Sequence, residues 1–589
     1  MFDSDLKKQI VSNKRINVTY GLIIVLFSIF LLRLFYIQVI QYSNYKAAAL
    51  DDQLKQYDIP ARRGQINIMD GSSVVPLVLN QTLYTVYADP TFIKNSSDVS
   101  SKIAPILNKN QADINDLLQT KNTRYVVLAK KVSADQNKSL LDLKIPGVGS
   151  TAQSYRIYPQ GSLASQLLGF VDDNGVGQYG IEQALNPQLN GKDGKFKAVT
   201  DINGVPLASS SSNVLSPPQN GDTVNLSIDL GMQSQMEQIL ANEYKKTNSK
   251  GISAIIMDPY NGQIKAMANF PTYDPTNIQN TDPSLFQNAA VANAIEPGST
   301  MKLLTAASAL DQGIVTPDTT YYDPAQWNVD GSIIKNVEVD GGARQQSVAT
   351  ILSLSLNTGA VWLLMQMGGG QLSDKSITAW HDYLVKHYHF GQYTNIEQGY
   401  ESTGYIPAEN FSDSSIMLTY ATTSFGQSLT VTDLQMADAV SSLVNGGTIY
   451  QPTLVDSLKD SNGNVTKNKP KIIQKNAVSK KVSDEMIPLM ENITKTAALS
   501  YSFVNFSSDY SVGGKTGTAQ VSENGSYLSN IYNGTYMGFV GGDKPQYVIA
   551  IFNIKPVVPG FAGPLGGMPV FADLAHMLIN EGYVQPKTK

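Results

Sequence analysis

The feature that most restricts the fold of this chain is a long apolar run near its N-terminus, from Val18 to Ile40. Its length matches the roughly 20 residues that an α-helix needs to cross a bilayer. Arg33 is the only charged residue in the run, and it lies far enough from the centre for its side chain to reach the headgroups. The run therefore predicts a single transmembrane anchor at residues 18–40.

The charges before this run predict its orientation. Four basic residues precede it: Lys7, Lys8, Lys14 and Arg15. By the positive-inside rule, residues 1–17 form a cytoplasmic tail and everything after about residue 40 lies outside the membrane. A cleaved signal peptide is the alternative, but its apolar core would be shorter, and Ala47-Ala48-Ala49 lies too far beyond the run to be an obvious cleavage site.

Composition restricts the rest of the chain. A length of 589 residues, 42% hydrophobic and 16% charged, indicates a globular protein with two or three domains. The formal net charge of -5 and the lack of a Lys/Arg-rich run argue against a nucleic-acid partner. The chain has no cysteine, which fits a protein that works outside the cytoplasm.

A serine and a lysine stand three residues apart where a helix is predicted to begin. In the stretch from Glu296 to Ala307, Pro-Gly is followed by an alanine- and leucine-rich run, so a helix should start at about Ser299. Ser299 and Lys302 should then be neighbours at the positive end of the helix dipole. A desolvated lysine can take the proton of a serine nucleophile. The alternative is an ordinary helix start with an exposed lysine.

Two further motifs follow, Ser355-Leu356-Asn357 and Lys515-Thr516-Gly517-Thr518. Ser-x-x-Lys, Ser-x-Asn and Lys-Thr-Gly, in this order, are typical of penicillin-binding proteins and serine β-lactamases. With Glu296-Pro297-Gly298 and the block Ser424 to Thr432, the chain resembles a class B penicillin-binding protein, a peptidoglycan D,D-transpeptidase. It looks closer to the division (septal) branch than to the elongation branch.

The resemblance implies catalytic roles for four residues. Ser299 would attack the carbonyl between the two terminal D-alanines of a stem peptide, and Lys302 would take its proton. Ser355 and Asn357 would complete the hydrogen-bonded network and help return a proton to the departing D-alanine. An amine of a second stem peptide would resolve the acyl-enzyme, and β-lactams would acylate the same serine.

The third motif would bind the substrate. Lys515 and the hydroxyls of Thr516 and Thr518 would hold the terminal carboxylate. Gly517 would let the strand come close to the ligand. The N–H groups of Ser299 and Thr518 would form the oxyanion hole.

The resemblance implies no cofactor and no metal. Three histidines, His381, His387 and His389, are predicted to share one helix, but they include no i, i+4 pair next to a Glu. The implied partners are peptidoglycan stem peptides, β-lactams, a polytopic membrane glycan polymerase and other cell-wall machinery.

Strand patterns near both ends of residues 222–585 predict an antiparallel sheet flanked by helices, an α+β fold. Asn261-Gly262 between two apolar runs indicates a β-hairpin. The predicted elements are the strands Ile252 to Met257, Gln263 to Ala268, Tyr536 to Val540 and Tyr547 to Ile554, and the closing helix Phe571 to Leu578. The resemblance implies the penicillin-binding/serine β-lactamase-like transpeptidase fold for this domain.

Residues 41–217 lack catalytic motifs and resemble the family's N-terminal pedestal, an elongated, mainly β, dimerisation-like domain that packs against the catalytic domain. Arg63 and Glu182 are expected to have structural roles, because buried Arg and Glu occur mainly as pairs. The segment Asn67 to Gly71 departs from the family pattern, so a different turn is expected there. Ser209 to Ser212 and Pro217-Pro218 predict an interdomain linker.

Two other functions stay open beside the transpeptidase. A D,D-carboxypeptidase or β-lactamase would share the motifs but use water as the acceptor, and a noncatalytic receptor would only sense β-lactams. The intact motifs argue against the receptor. Glu397, Glu401 and Glu409 lie where a hydrolase would carry a second base, but in a stretch that predicts a surface loop and lacks the hydrolase motif.

Overall fold

A computed structural model describes residues 4–199, 214–336, 342–523 and 526–588. The predicted linker residues Ser209 to Ser212 lie outside these ranges. Up to residue 199 the elements are α1 (Ser4–Phe35), α2 (Tyr42–Gln53), β1 (Leu54–Ile59), β2 (Ile66–Asp70), β3 (Ser73–Ala88), α3 (Ser96–Leu107), α4 (Gln111–Leu118), β4 (Val126–Val132), α5 (Ala134–Asp142), β5 (Val148–Ile157), α6 (Ser165–Leu168), β6 (Phe170–Val171), β7 (Gly177–Gln178), α7 (Gly180–Ala184), α8 (Asn186–Asn190) and β8 (Gly194–Val199).

From residue 214 the elements are β9 (Val214–Ser216), β10 (Thr223–Asp229), α9 (Leu230–Thr247), β11 (Gly251–Met257), β12 (Ile264–Phe270), α10 (Ala289–Ala292), α11 (Met301–Asp311), β13 (Thr320–Asp323), β14 (Gln326–Val329), β15 (Ser332–Lys335), β16 (Arg344–Ser347), α12 (Val348–Ser353), α13 (Asn357–Met367), α14 (Asp374–Asp382), α15 (Ile416–Thr423), α16 (Asp433–Ser442), β17 (Ile449–Tyr450), β18 (Val455–Lys459), β19 (Val465–Lys467), β20 (Ile472–Gln474), α17 (Lys480–Ala498), β21 (Ser511–Glu523), β22 (Ser526–Gly541), β23 (Pro545–Ile554) and α18 (Met568–Asn580).

Short helical turns of other types complete the fold. The 3-10 turns are Pro90–Phe92, Ile278–Asn280, Pro283–Leu285, Gly298–Thr300 and Ser502–Val504. The π-helical turns are Tyr36–Ile40, Tyr383–His387 and Gly563–Gly567.

Contacts divide the chain into two compact units. The first consists of residues 1–61 and 191–220, and the second of residues 62–190 and 221–589. In the first unit, β1, β8 and β9 form a three-stranded antiparallel sheet. This unit also contains one helix, Lys14–Ile40, that is long and apolar enough to cross a membrane, and it is the one such helix among the described residues.

The centre of the second unit is a five-stranded antiparallel sheet in the order β12-β11-β23-β22-β21. The predicted hairpin is confirmed, with Met257 opposite Ile264 and Gly262 at φ +75° in the turn. The strands predicted late in the chain and the closing helix are confirmed as β22, β23 and α18. The domain therefore has the predicted α+β architecture.

Helices cover both faces of this sheet. Because side chains alternate between the two faces along each strand, one strand contributes to two separate cores. On β11, Ile252, Ala254 and Ile256 pack in one core with residues of α9 and α18. Ile255 and Met257 point to the opposite face and belong to a larger core with residues of α11, α13, α16 and α17.

A second sheet in the same unit joins residues of the predicted pedestal to later strands. Its order is β19-β18-β10-β2-β3-β4, and β5 also pairs with β3. Here β10 runs parallel to β2 and antiparallel to β18. At the position of the family departure, β2 and β3 form a tight hairpin in which Asp70 lies opposite Ser73 and Gly71 has φ +59°.

The expected buried ion pair is confirmed and is larger than predicted. Glu182 is fully buried and accepts from Arg63 at 2.6 Å and from Arg156 at 2.8 Å. Arg63 also donates to Asn186 Oδ1 at 2.8 Å. Burial lowers the pKa of Arg63, and the charge of Glu182 opposes that shift. One carboxylate thus compensates two buried cations.

The prediction of one helix for the three histidines is wrong for His389. His381 lies in α14 and His387 in the π-helical turn that follows. His389 has φ +59°, a left-handed conformation that cannot continue a right-handed helix.

We predict that Glu182→Gln lowers the free energy of unfolding by about 3–5 kcal/mol, because the change leaves two buried guanidinium groups without a counter-charge. Denaturant titration of the purified protein in detergent measures this difference. The control is Asp173→Asn, which breaks the Lys130–Asp173 pair, whose side chains are 48% and 67% exposed, and should cost far less because water screens the pair. Similar losses for both variants would contradict the structural role of Glu182.

Candidate active site

Ser299 lies in a tight turn that leads into a buried helix. The 3-10 turn Gly298–Thr300 passes directly into α11, in which residues 301–310 are all buried. The predicted helix start at about Ser299 is therefore confirmed. Gly298 has φ +60°, and its N–H donates to the carbonyl of Gly426 at 3.0 Å. This bond connects the turn to the block Ser424 to Thr432.

Lys302 brings two of the predicted motifs together. Its side chain is fully buried, and Nζ donates to the carbonyl oxygen of Ser355 at 2.5 Å and to Asn357 Oδ1 at 2.8 Å. The Ser355 hydroxyl lies 3.2 Å from the same nitrogen. Ser355 has φ +59°, a conformation that is unfavourable for a residue with a side chain and that recurs at functional sites.

The third motif lies on β21, the end strand of the central sheet. Lys515 is 2% exposed, and its Nζ donates to the carbonyl of Thr516 at 3.1 Å. A side chain at Gly517 would come within 2.2 Å of Thr535 Oγ1 and 2.5 Å of the Pro297 carbonyl. The missing side chain of Gly517 therefore lets the Ser299 turn approach β21. The expected approach of a ligand to Gly517 stays a prediction.

A cavity of about 680 Å³ opens between these elements. Five of the eight predicted site residues line it, namely Ser299, Ser355, Asn357, Thr516 and Thr518. The other predicted residues, Lys302, Lys515 and Gly517, are buried. The remaining lining residues are Lys335, Asn336, Leu354, Phe425, Gln427, Gln520, Tyr532, Gly560, Phe561 and Pro564.

Sequence reasoning missed that Glu296 connects the loop after α15 to β22. Its Oε1 accepts from the backbone N–H of Ser428 and from the hydroxyl of Tyr527, each at 2.9 Å. Burial raises the pKa of Glu296, although both hydrogen bonds oppose the shift. Burial, followed by the charge of Glu296, raises the pKa of Tyr527 to about 12. Neither partner has a local sequence signal, because both are more than a hundred residues away.

The three glutamates considered as hydrolytic bases do not line the cavity described above. Glu397 accepts from the N–H of Leu454 at 2.9 Å, and Glu401 accepts from the N–H of Thr394 at 2.6 Å. Burial raises the pKa of both carboxyl groups. Glu397 and Glu401 therefore hold loop backbone in place.

Comparison with known proteins agrees with this geometry. Residues 252–557 match the family described as penicillin binding protein transpeptidase domain. Residues 58–226 match the penicillin-binding protein dimerisation domain. The chain belongs to the class B penicillin-binding proteins.

Relatives and solved structures of this family cover nearly the whole chain. Stage V sporulation protein D of Bacillus subtilis is 30% identical over 96% of this chain and 85% of its own. Peptidoglycan D,D-transpeptidase FtsI of Buchnera aphidicola is 28% identical over 99% of this chain and 98% of its own. The crystal structure of penicillin binding protein 2X from Streptococcus thermophilus shares the fold at a TM-score of 0.70 and 24% identity, covering 91% of this chain and 83% of that one.

In this class B penicillin-binding protein, we predict that Gly426→Ala slows acylation by penicillin about 10- to 100-fold. A Cβ at this position, where φ is +84°, would lie 2.0 Å from the Gly298 carbonyl oxygen and would displace the Ser299 turn. The second-order rate constant for labelling by fluorescent penicillin measures the effect.

Gly463→Ala is the matched control. Gly463 has φ +91°, but a Cβ there would have no neighbour within 4 Å. It should cost about 1 kcal/mol of stability through its backbone conformation and leave acylation unchanged. Equal acylation rates for the two variants would show that the Gly298–Gly426 contact does not position Ser299.

Proposed function

We propose that this protein is a membrane-anchored serine D,D-transpeptidase of the division type that cross-links peptidoglycan stem peptides through an acyl-enzyme at Ser299 and is acylated there by β-lactams. The observation that carries the proposal is the buried ammonium group of Lys302, hydrogen-bonded to Ser355 and Asn357, beneath a cavity lined by Ser299. Peptidoglycan and β-lactams are its expected ligands because of the family to which it belongs.

Acylation follows from this network. Lys302, in its neutral form, takes the proton of the Ser299 hydroxyl as the oxygen attacks the carbonyl between the two D-alanines. The Ser355 hydroxyl, 3.2 Å from Lys302 Nζ, relays a proton to the nitrogen of the departing D-alanine. Asn357 keeps Lys302 oriented through the 2.8 Å hydrogen bond.

β21 binds the terminal carboxylate of the substrate, and β21 and the Ser299 turn together stabilise the oxyanion. Thr516 and Thr518 offer hydroxyl groups to the terminal carboxylate, and Lys515 beneath them supplies positive charge. The N–H groups of Ser299 and Thr518 stabilise the developing oxyanion. Each such donor contributes on the order of 3 kcal/mol in hydrolases.

The acyl-enzyme is resolved by an amine of a neighbouring stem peptide. Hydrolysis is the competing fate, as in a D,D-carboxypeptidase or β-lactamase. It would need a base that activates water, and the hydrogen bonds of Glu397 and Glu401 to loop backbone assign these two groups a different role. Transfer is therefore favoured over hydrolysis.

The domain organisation and topology form part of the same proposal. Residues 1–17 form the cytoplasmic tail, 18–40 the anchor, 41–217 the pedestal and 222–585 the transpeptidase domain. The basic residues before the anchor support an extracytoplasmic catalytic domain. A polytopic membrane glycan polymerase is the expected partner, since cross-linking requires newly made glycan strands.

We predict that fluorescent penicillin forms a covalent adduct at Ser299 that survives for many minutes, because none of Glu397, Glu401 and Glu409 lines the cavity, where a base would have to activate the deacylating water. Product formation from a thioester stem-peptide analogue should rise when a D-amino acid acceptor is added. Peptide mapping and acceptor titration measure these outcomes, and Ser299→Ala is the control that should not be labelled. Rapid multiple-turnover hydrolysis of penicillin, indifferent to added amine, would show that water is the acceptor.

We also predict that the full-length protein resists extraction from membranes by high salt, because the apolar helix Lys14–Ile40 would lie in the bilayer. In spheroplasts, external protease should degrade the part after residue 40, while a cytoplasmic marker protein stays intact. Recovery of a processed soluble form from the culture medium would instead indicate a cleaved signal peptide.

A further inference from the structure

The described lining of the cavity carries one exposed charge. Among its described lining residues, Lys335 has the only charged side chain, and none of them is a carboxylate. Lys302 and Lys515 are 0% and 2% exposed, whereas Lys335 is exposed. Within the described part of the chain, Lys335 forms no ion pair within 4 Å. Among these lining residues, the exposed ammonium group of Lys335 is therefore the one that can attract an anionic ligand.

The backbone of Lys335 is fixed to the catalytic network. Asn357, whose Oδ1 accepts from Lys302, donates through Nδ2 to the Lys335 carbonyl at 3.2 Å. The next residue, Asn336, accepts from the N–H and the hydroxyl of Thr358 at 3.1 and 2.9 Å. Its own amide donates to Asp323 Oδ2 at 3.0 Å.

The partner strand is held in the same way. Trp327 on β14 donates through its indole N–H to the carbonyl of Thr358 at 3.0 Å. The hairpin β14–β15 is thus attached to the first turn of α13 on both strands. A cation on this hairpin keeps its place relative to Asn357 and hence to the reacting bond.

Lys335 and the proposed carboxylate site belong to different elements of the cavity lining. Thr516 and Thr518, assigned to the terminal carboxylate, belong to β21, whereas Lys335 lies beside Asn357. Lys335 is therefore available to a second anionic group of the same substrate. A lysine on a flexible stem can bind a carboxylate as a point charge without a fixed approach geometry.

We propose that Lys335 is a specificity-determining residue that binds a second carboxylate of the donor stem peptide, carried by one of the residues that precede the two D-alanines. Two sources share this chemistry: a side-chain carboxylate on the third residue, as in a diamino dicarboxylic acid, and the α-carboxylate of a γ-linked glutamate at the second. This inference rests on the proposed transpeptidase function and names the substrate class of its site.

The test compares three synthetic thioester donors without an acceptor. One has both of these carboxylates free, one is amidated at the third residue, and one is amidated at the second. We expect the wild-type protein to be acylated about two- to fivefold faster, in kcat/KM, by the free acid than by one of the amides, the range typical of an exposed ion pair. The amide that reacts more slowly than the free acid shows which carboxylate, at the second or the third residue, binds Lys335. The preference should weaken as salt is raised.

Variants separate charge recognition from structure. Lys335→Gln should abolish the preference, and Lys335→Arg should retain it. Lys375→Gln, which removes the charge of an exposed lysine on α14 outside the cavity lining, is the control that should also retain it.

Two results would overturn the inference: equal losses of Lys335→Gln with all donors, or a preference that survives in Lys335→Gln. A wild-type protein that penicillin and the thioesters all fail to acylate would overturn the proposed function and this inference with it. Wild-type acylation without any preference would overturn the inference alone.

Discussion

The site depends on one buried lysine. Lys302 lies fully inside the protein on α11, and burial of an ammonium group is costly unless hydrogen bonds compensate it. The carbonyl of Ser355 and the amide oxygen of Asn357 supply this compensation from the segment between α12 and α13. Displacing that segment would leave the amino group without these partners, so the contacts that hold the two motifs together also fix the orientation of the proposed base.

Close backbone approach is the second constraint, and glycines make it possible. Gly298 and Gly426 meet through an N–H···O bond, and a Cβ on Gly426 would overlap the Gly298 carbonyl. On the other side, Gly517 admits the Pro297 carbonyl, which also accepts from Thr535 Oγ1 at 2.8 Å. The Ser299 turn is therefore held between a loop and an edge strand, with little freedom to move the nucleophile.

Much of this arrangement could be predicted from local patterns. The proximity of Ser299 and Lys302 follows from helical spacing, and the β11–β12 hairpin follows from Asn-Gly. The orientation of Gly517, the contacts of Glu296 and the left-handed conformation of His389 were not predicted. They depend on which distant segments pack together, and neither composition nor a period of 2 or 3.6 residues contains that information. The motifs identified the residues of the site, but the contacts of Gly298, Gly426 and Gly517 that hold the Ser299 turn in place are visible only in the three-dimensional structure.

The position of β21 connects the fold to the proposed chemistry. An end strand has backbone N–H and C=O groups on its outer side that no neighbouring strand pairs, a liability that proteins usually reduce by covering the edge. Here the 3-10 turn with Ser299 packs against β21, and Thr516, Thr518 and Gln520 of the same strand line the cavity. An extended peptide that adds to such an edge gains backbone hydrogen bonds in a fixed register. Because the proposed nucleophile lies beside that edge, binding in this register would itself place one carbonyl of the peptide next to Ser299, so that the sheet edge would select the bond to be broken.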